Sequence, residues 1–119
     1  MKVVERWWAV WRDGDLDSID EIVADPFVRH SARGTVVRTR KQARDDMVQF
    51  RETLELAAVR FDAQTVVGDQ VWCRVTTVGV NLPTEEPSTM SWLQNCRVVD
   101  GRIEEMWWLY VLDVDWTKS

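Results

Sequence analysis

The chain has one histidine, His30, and no second imidazole that would share a metal or a proton with it. Its two cysteines, Cys73 and Cys96, lack metal-ligand spacing, so reduced thiols in the cytoplasm are the expectation. There is no G-x-G-x-x-G, no phosphate-binding loop and no G-x-S-x-G, and the acidic run from Asp13 to Asp20 lacks the twelve-residue calcium-loop pattern. No cofactor and no metal are therefore expected. No apolar run is long enough to span a bilayer. The opening "MKVVERWWAVWRDGD" is broken by Glu5, Arg12 and Asp13 and no small-residue cleavage site follows it, so it does not read as a signal peptide. Cationic clusters are equally scarce. Formal charge is −5, and the short basic run "RTRKQAR", Arg38 to Arg44, is followed at once by Asp45 and Asp46. Neither nucleic acid nor a membrane is expected as a partner.

What the sequence has in excess is tryptophan: eight, against one tyrosine and three phenylalanines. Each indole offers a large apolar surface and one N–H to satisfy, which suits a core, a pocket or an interface. A chain of 119 residues fits one domain, 1–119, with enough sequence for a hydrophobic core.

Periodicity divides the chain into two parts. Val3, Val4, Trp7, Trp8 and Trp11 form one apolar stripe and predict a helix over about 3–12, stopped by "DGD". A short helix over 16–24 follows, with Asp15 as its N-cap. Pro26 then imposes extended backbone, and Phe27 to Ser31 reads as a strand. "TRKQ" is a capping box, with Thr39 and Gln42 satisfying each other's backbone N–H groups, and it opens a third helix over about 40–56. After Ala57 the period becomes two. Strands are predicted over 59–67, 71–81, 90–99 and 102–112, with turns at Gly68–Asp69, at "LPTEEPS" and at Asp100–Gly101. The order α-α-β-α-β-β-β-β, with an antiparallel meander at the end, describes an α+β domain: a curved sheet with helices packed on one face.

Three stretches resemble a known family. "GDQVWCRVTTVGV", Gly68 to Val80, is similar to a G-D-x-V-x-x-R-x-T-x-x-G strand pair. "MSWLQNCRVVDGRIEEMW", Met90 to Trp107, is similar to a strand–D-G-K/R-I–strand hairpin, and "FVRH", Phe27 to His30, to a first strand ending in a polar residue. In this order and spacing they resemble the SnoaL-like, polyketide-cyclase-related branch of the nuclear transport factor 2-like superfamily. The resemblance implies a cone-shaped, curved antiparallel sheet with three N-terminal helices packed on its concave face, an apolar pocket between sheet and helices, and frequent dimerisation through the outer sheet face. It does not imply one function, because cyclases, isomerases, epoxide hydrolases, dehydratases and non-catalytic binding domains share the fold.

Ketosteroid isomerases of this fold use a tyrosine on the first helix, a carboxylate at the end of the first strand and a protonated acid before the last hairpin. The matching places here hold Trp7, His30 and Gln94. Polyketide cyclases use a His or Asp at the Gln94 place and an Asp on the last strand, where Trp108 stands. The chain departs from both sets. The resemblance makes His30 the candidate general base or acid, Gln94 a donor to a substrate oxygen, and Tyr110 a hydroxyl donor. Trp7, Trp11, Trp92, Met106 and Trp108 are the candidate binding surface for an apolar, possibly aromatic or polyketide-like molecule. The same residues read equally as core that fills the cone, and His30 as a strand-end residue bonded to its neighbours. Trp107 and Glu105, one residue out of phase, are expected on the outer face as a homodimer contact. The expected function is cofactor-independent proton transfer, as in cyclisation, isomerisation or dehydration. The alternatives are a non-catalytic binding or dimerising domain and, more distantly, an epoxide hydrolase, whose paired acids and arginine do not assemble on one face in the sequence.

Overall fold

A computed structural model describes residues 2–118. Helix α1, Lys2–Asp13, buries Val3, Val4, Trp7, Trp8 and Val10. It ends at Gly14, whose φ of +79° is the left-handed conformation that closes a helix. The Arg51 guanidinium caps this end, donating to the carbonyl oxygens of Trp11 (3.0 Å) and Arg12 (2.5 Å). A Cβ at position 14 would lie 2.8 Å from the Arg51 Cζ and push that cap aside, while the positive φ is what favours glycine there.

The second helical segment is shorter than the sequence predicts. A 3-10 turn, Leu16–Ser18, leads into α2, Ile19–Ile22. Asp15 makes no capping bond and instead accepts from the Ser18 hydroxyl at 2.7 Å. The capping box of α3, Arg40–Thr53, forms as expected: Gln42 N donates to Thr39 Oγ1 (3.1 Å) and Thr39 N to Gln42 Oε1 (2.9 Å).

The six strands are β1 (Val23–Ser31), β2 (Gly34–Arg38), β3 (Leu54–Val67), β4 (Gln70–Asn81), β5 (Glu86–Val99) and β6 (Arg102–Leu112). They form one sheet in the order β2-β1-β6-β5-β4-β3. Every neighbouring pair is antiparallel except β1 and β6, so the sheet is mixed. Strand β2, an edge strand absent from the sequence reading, hairpins back on β1 with Thr35 opposite His30. Its burial pattern shows why it escapes: four of its five residues are exposed, so no apolar alternation marks it.

Bulges bend the sheet. Strand β3 shifts register at Leu56/Ala58 and Phe61/Ala63. Gly79 faces the first of these, and a Cβ there would collide with the Glu55 carbonyl oxygen. The Asp100–Gly101 turn has positive φ at both residues, 53° and 78°, as a two-residue hairpin of this composition demands. The helices cover the inner face of the curve, where Val4, Trp7, Ile22, Phe27, Met47, Val75, Cys96, Ile103 and Met106 form one core. Cys73 and Cys96 are free and buried, and burial pushes both thiols above the usual range. Among the described residues no helix is long and apolar enough to cross a membrane.

Candidate functional site

Between α1, α3 and the inner sheet face lies a cleft of about 980 Å³. Strand alternation decides which side chains reach it. On β6, Met106, Trp108 and Tyr110 point inward; on β5, Trp92 and Gln94 do so, paired with Tyr110 and Trp108 respectively. Helix α1 brings Trp7, Trp8 and Trp11 down onto them, and all three line the cleft with Trp92 and Trp108. The indoles hold one another edge to face. Trp8 meets Trp92 at 5.1 Å between ring centres, Trp7 meets Trp11 at 5.6 Å, and Trp11 meets Phe50 at 4.9 Å. Met106 is the exception among the expected lining residues. It is fully buried beneath the cleft and belongs to the core.

Gln94 is 4% exposed and lines the cleft. Trp8 Nε1 donates to its Oε1 at 2.8 Å, a contact that the sequence did not reveal. That bond fixes the amide orientation: the oxygen is taken and the NH2 faces the cleft with no partner among the described residues. Tyr110 stands at the rim, 48% exposed, its ring tilted 33° against Trp92 at 4.6 Å. Trp92 itself is anchored by donating from Nε1 to Thr77 Oγ1 at 3.0 Å.

His30 does not join them. Phe27 is buried in the core on the inner side of β1, so Arg29 also points inward and His30 points outward. On the outer face the imidazole stacks on Trp107 at 4.8 Å with 12° between planes. Its Nε2 donates to Glu105 Oε2 at 2.6 Å, and Nδ1 meets the Thr35 hydroxyl at 2.7 Å. Glu105 also accepts from Arg97 Nη2 at 3.4 Å. The bond from His30, and after it the one from Arg97, holds the Glu105 carboxyl below the usual range. Both ring nitrogens are thus engaged on the side of the sheet away from the cleft, and the expected pocket base is not in the pocket. Trp107 and Glu105 lie on that outer face, where the sequence puts them. Glu104 falls at a register shift and pairs with Arg97 at 2.8 Å.

The residue that takes the inward place is Arg29. Its guanidinium lies 5.3 Å from the Trp108 ring centre and donates to Asp46 Oδ2 at 3.1 Å. Among the described residues no carboxylate and no imidazole line the cleft; Arg29 and Arg33 do. Among the described residues no three His, Cys, Asp or Glu side chains come together as a metal site.

A curved sheet with helices on its inner face, a strand-crossed cleft and the D-G hairpin define a SnoaL-like domain. The pattern of the SnoaL-like domain family matches residues 4–106, and the chain belongs to that family. No curated protein sequence matches it significantly. Solved structures share the fold. IdmH of Streptomyces antibioticus, provisionally assigned as a polyketide cyclase, is 23% identical with a TM-score of 0.74, over 94% of this chain and 90% of that one. A provisional isomerase of Bacillus subtilis reaches 0.81 at 14% identity, over 92% and 84%. An epoxide hydrolase of M. tuberculosis reaches 0.77 at 16% identity, over 93% and 81%.

Proposed function

We propose that the cleft binds a flat, apolar molecule with a carbonyl oxygen and promotes proton transfer next to that carbonyl, the step shared by cyclisation, isomerisation and dehydration. The observation that carries this reading is the Gln94 amide, buried, locked through its oxygen by Trp8, and presenting its NH2 to a tryptophan-lined space. A donor fixed in advance stabilises an enolate oxygen better than mobile water does. The indoles supply orientation, and the Tyr110 hydroxyl offers a second donor at the rim. With no imidazole or carboxylate on the lining, the carbon-bound proton passes to water at the open rim, and the electron pair is held as the enolate on the Gln94 side. His30 has no part in this step.

The test uses 2-acetonaphthone, a flat aryl ketone. Its methyl protons should exchange with deuterium faster in the presence of the protein, and Gln94→Leu should lower the enhancement by about a hundredfold, the size of one lost oxyanion donor. Saturable quenching of tryptophan fluorescence without faster exchange would favour the second reading, a non-catalytic binding domain. The observation on that side is the lack of a titratable base on the lining.

We also propose that a second copy covers the outer face. Trp72 (52% exposed), Leu93 and Trp107 lie exposed on one side of β4, β5 and β6 there. Trp107→Glu should convert the dimer to monomer in sedimentation velocity; a wild-type monomer at high concentration would overturn the proposal.

A further inference from the structure

We propose that Arg29 is the specificity residue of the cleft and that the natural ligand carries a carboxylate, which Arg29 receives at the end of the Trp108 indole. This rests on the reading of the cleft as the ligand site and adds to it the charge of the ligand.

Three observations lead there. First, Asp46 does not need Arg29. Arg38 already holds that carboxylate at both oxygens, from Nη2 to Oδ1 at 2.6 Å and from Nε to Oδ2 at 3.1 Å. Arg29 adds one bond to an oxygen that is already engaged. The three groups sum to one surplus positive charge. Second, most of the donor capacity of Arg29 is free. A guanidinium has five N–H groups, and among the described residues only Nη1 of Arg29 has a partner. The group is 23% exposed and faces the cleft, its Cζ 5.3 Å from the Trp108 ring centre. A planar fork held at one nitrogen by an ion pair and lying beside an indole has donors left for bidentate contact with a planar carboxylate. Third, the charge on the lining runs against that of the chain. The protein carries −5 overall, yet among the described residues the cleft is lined by Arg29 and Arg33 and by no acid. Gln94 and Arg29 stand on β5 and β1, the strands flanking β6, with Trp108 between them. A flat ligand lying along Trp108 would present a carbonyl to Gln94 and a carboxylate to Arg29.

The experiment is calorimetric titration of the full chain with 2-naphthoate and, separately, with methyl 2-naphthoate. The two probes share the ring and the carbonyl and differ in charge. Wild type should bind the acid about tenfold more tightly than the ester, the scale of one charge-assisted bond. Arg29→Gln should bring the ratio close to one, with acid affinity falling about tenfold further than ester affinity, and Arg29→Lys should restore part of the preference. Equal affinity of wild type for both probes, or a ratio unchanged in Arg29→Gln, would overturn the carboxylate assignment and leave the cleft reading standing. No binding of either probe would overturn the cleft reading itself and the assignment with it.

Discussion

The inner and outer faces of the sheet are made by the same strands, one residue out of phase, and they treat polar groups in opposite ways. Outside, His30, Thr35, Glu105 and Arg97 satisfy one another: each imidazole nitrogen has a partner and the carboxylate has two. Inside, the Gln94 amide has its oxygen fixed and its NH2 open, and Arg29 is only partly engaged. A closed network stabilises a surface and holds it in one geometry. An open one, at the wall of a cleft, has capacity left for something else. The lone histidine draws attention by composition, but its bonds are complete, while the groups with donors to spare are a glutamine and an arginine.

Breaking the inner network should have the larger effect. Trp8→Phe keeps the aromatic contact with Trp92 but strands the Gln94 oxygen, which is buried. Stability should fall by about 1–3 kcal/mol, as expected for an unsatisfied buried acceptor. The amide, free to flip, should also lose its effect on ketone exchange. Urea unfolding and the exchange assay together would check this; unchanged stability would mean that the oxygen has another partner.

The outer network should matter less. Its groups are partly exposed, so Glu105→Gln should cost less than about 1 kcal/mol. The sign with pH is fixed by the lowered Glu105 carboxyl. The stabilisation is present above the ordinary glutamate value of about 4.3 and disappears as pH falls through the lower folded-state value. Thermal melts from pH 7 to pH 3 should therefore show the variant and wild type converging in acid. Divergence in acid would contradict the assignment. Smallest of all should be His30→Gln on ligand binding: less than about a twofold change in the affinity of 2-acetonaphthone, since the ring lies across the sheet from the cleft.

Much of this architecture is legible in the sequence because local chemistry decides it. The capping box at Thr39 and Gln42 and the Asp100–Gly101 turn each satisfy a backbone requirement within four residues. The opposition of Trp107 and Trp108 follows from alternation on β6. The site was less legible. Family position suggested His30, but alternation from the buried Phe27 puts Arg29 inside, and that signal was available. The Trp8–Gln94 bond joins residues far apart in the chain, and only the docking of α1 onto β5 creates it. Strand β2 lies at an edge with little to bury, so periodicity had nothing to report.

The claim that the inner face is the working face is tested most directly by side-chain NMR during titration with 2-naphthoate. The Gln94 amide protons, the Trp8 indole N–H and the Arg29 guanidinium resonances should shift together and saturate together, while the His30 ring stays where it was. Shifts confined to His30 and Trp107, with Gln94 and Arg29 unmoved, would contradict the account.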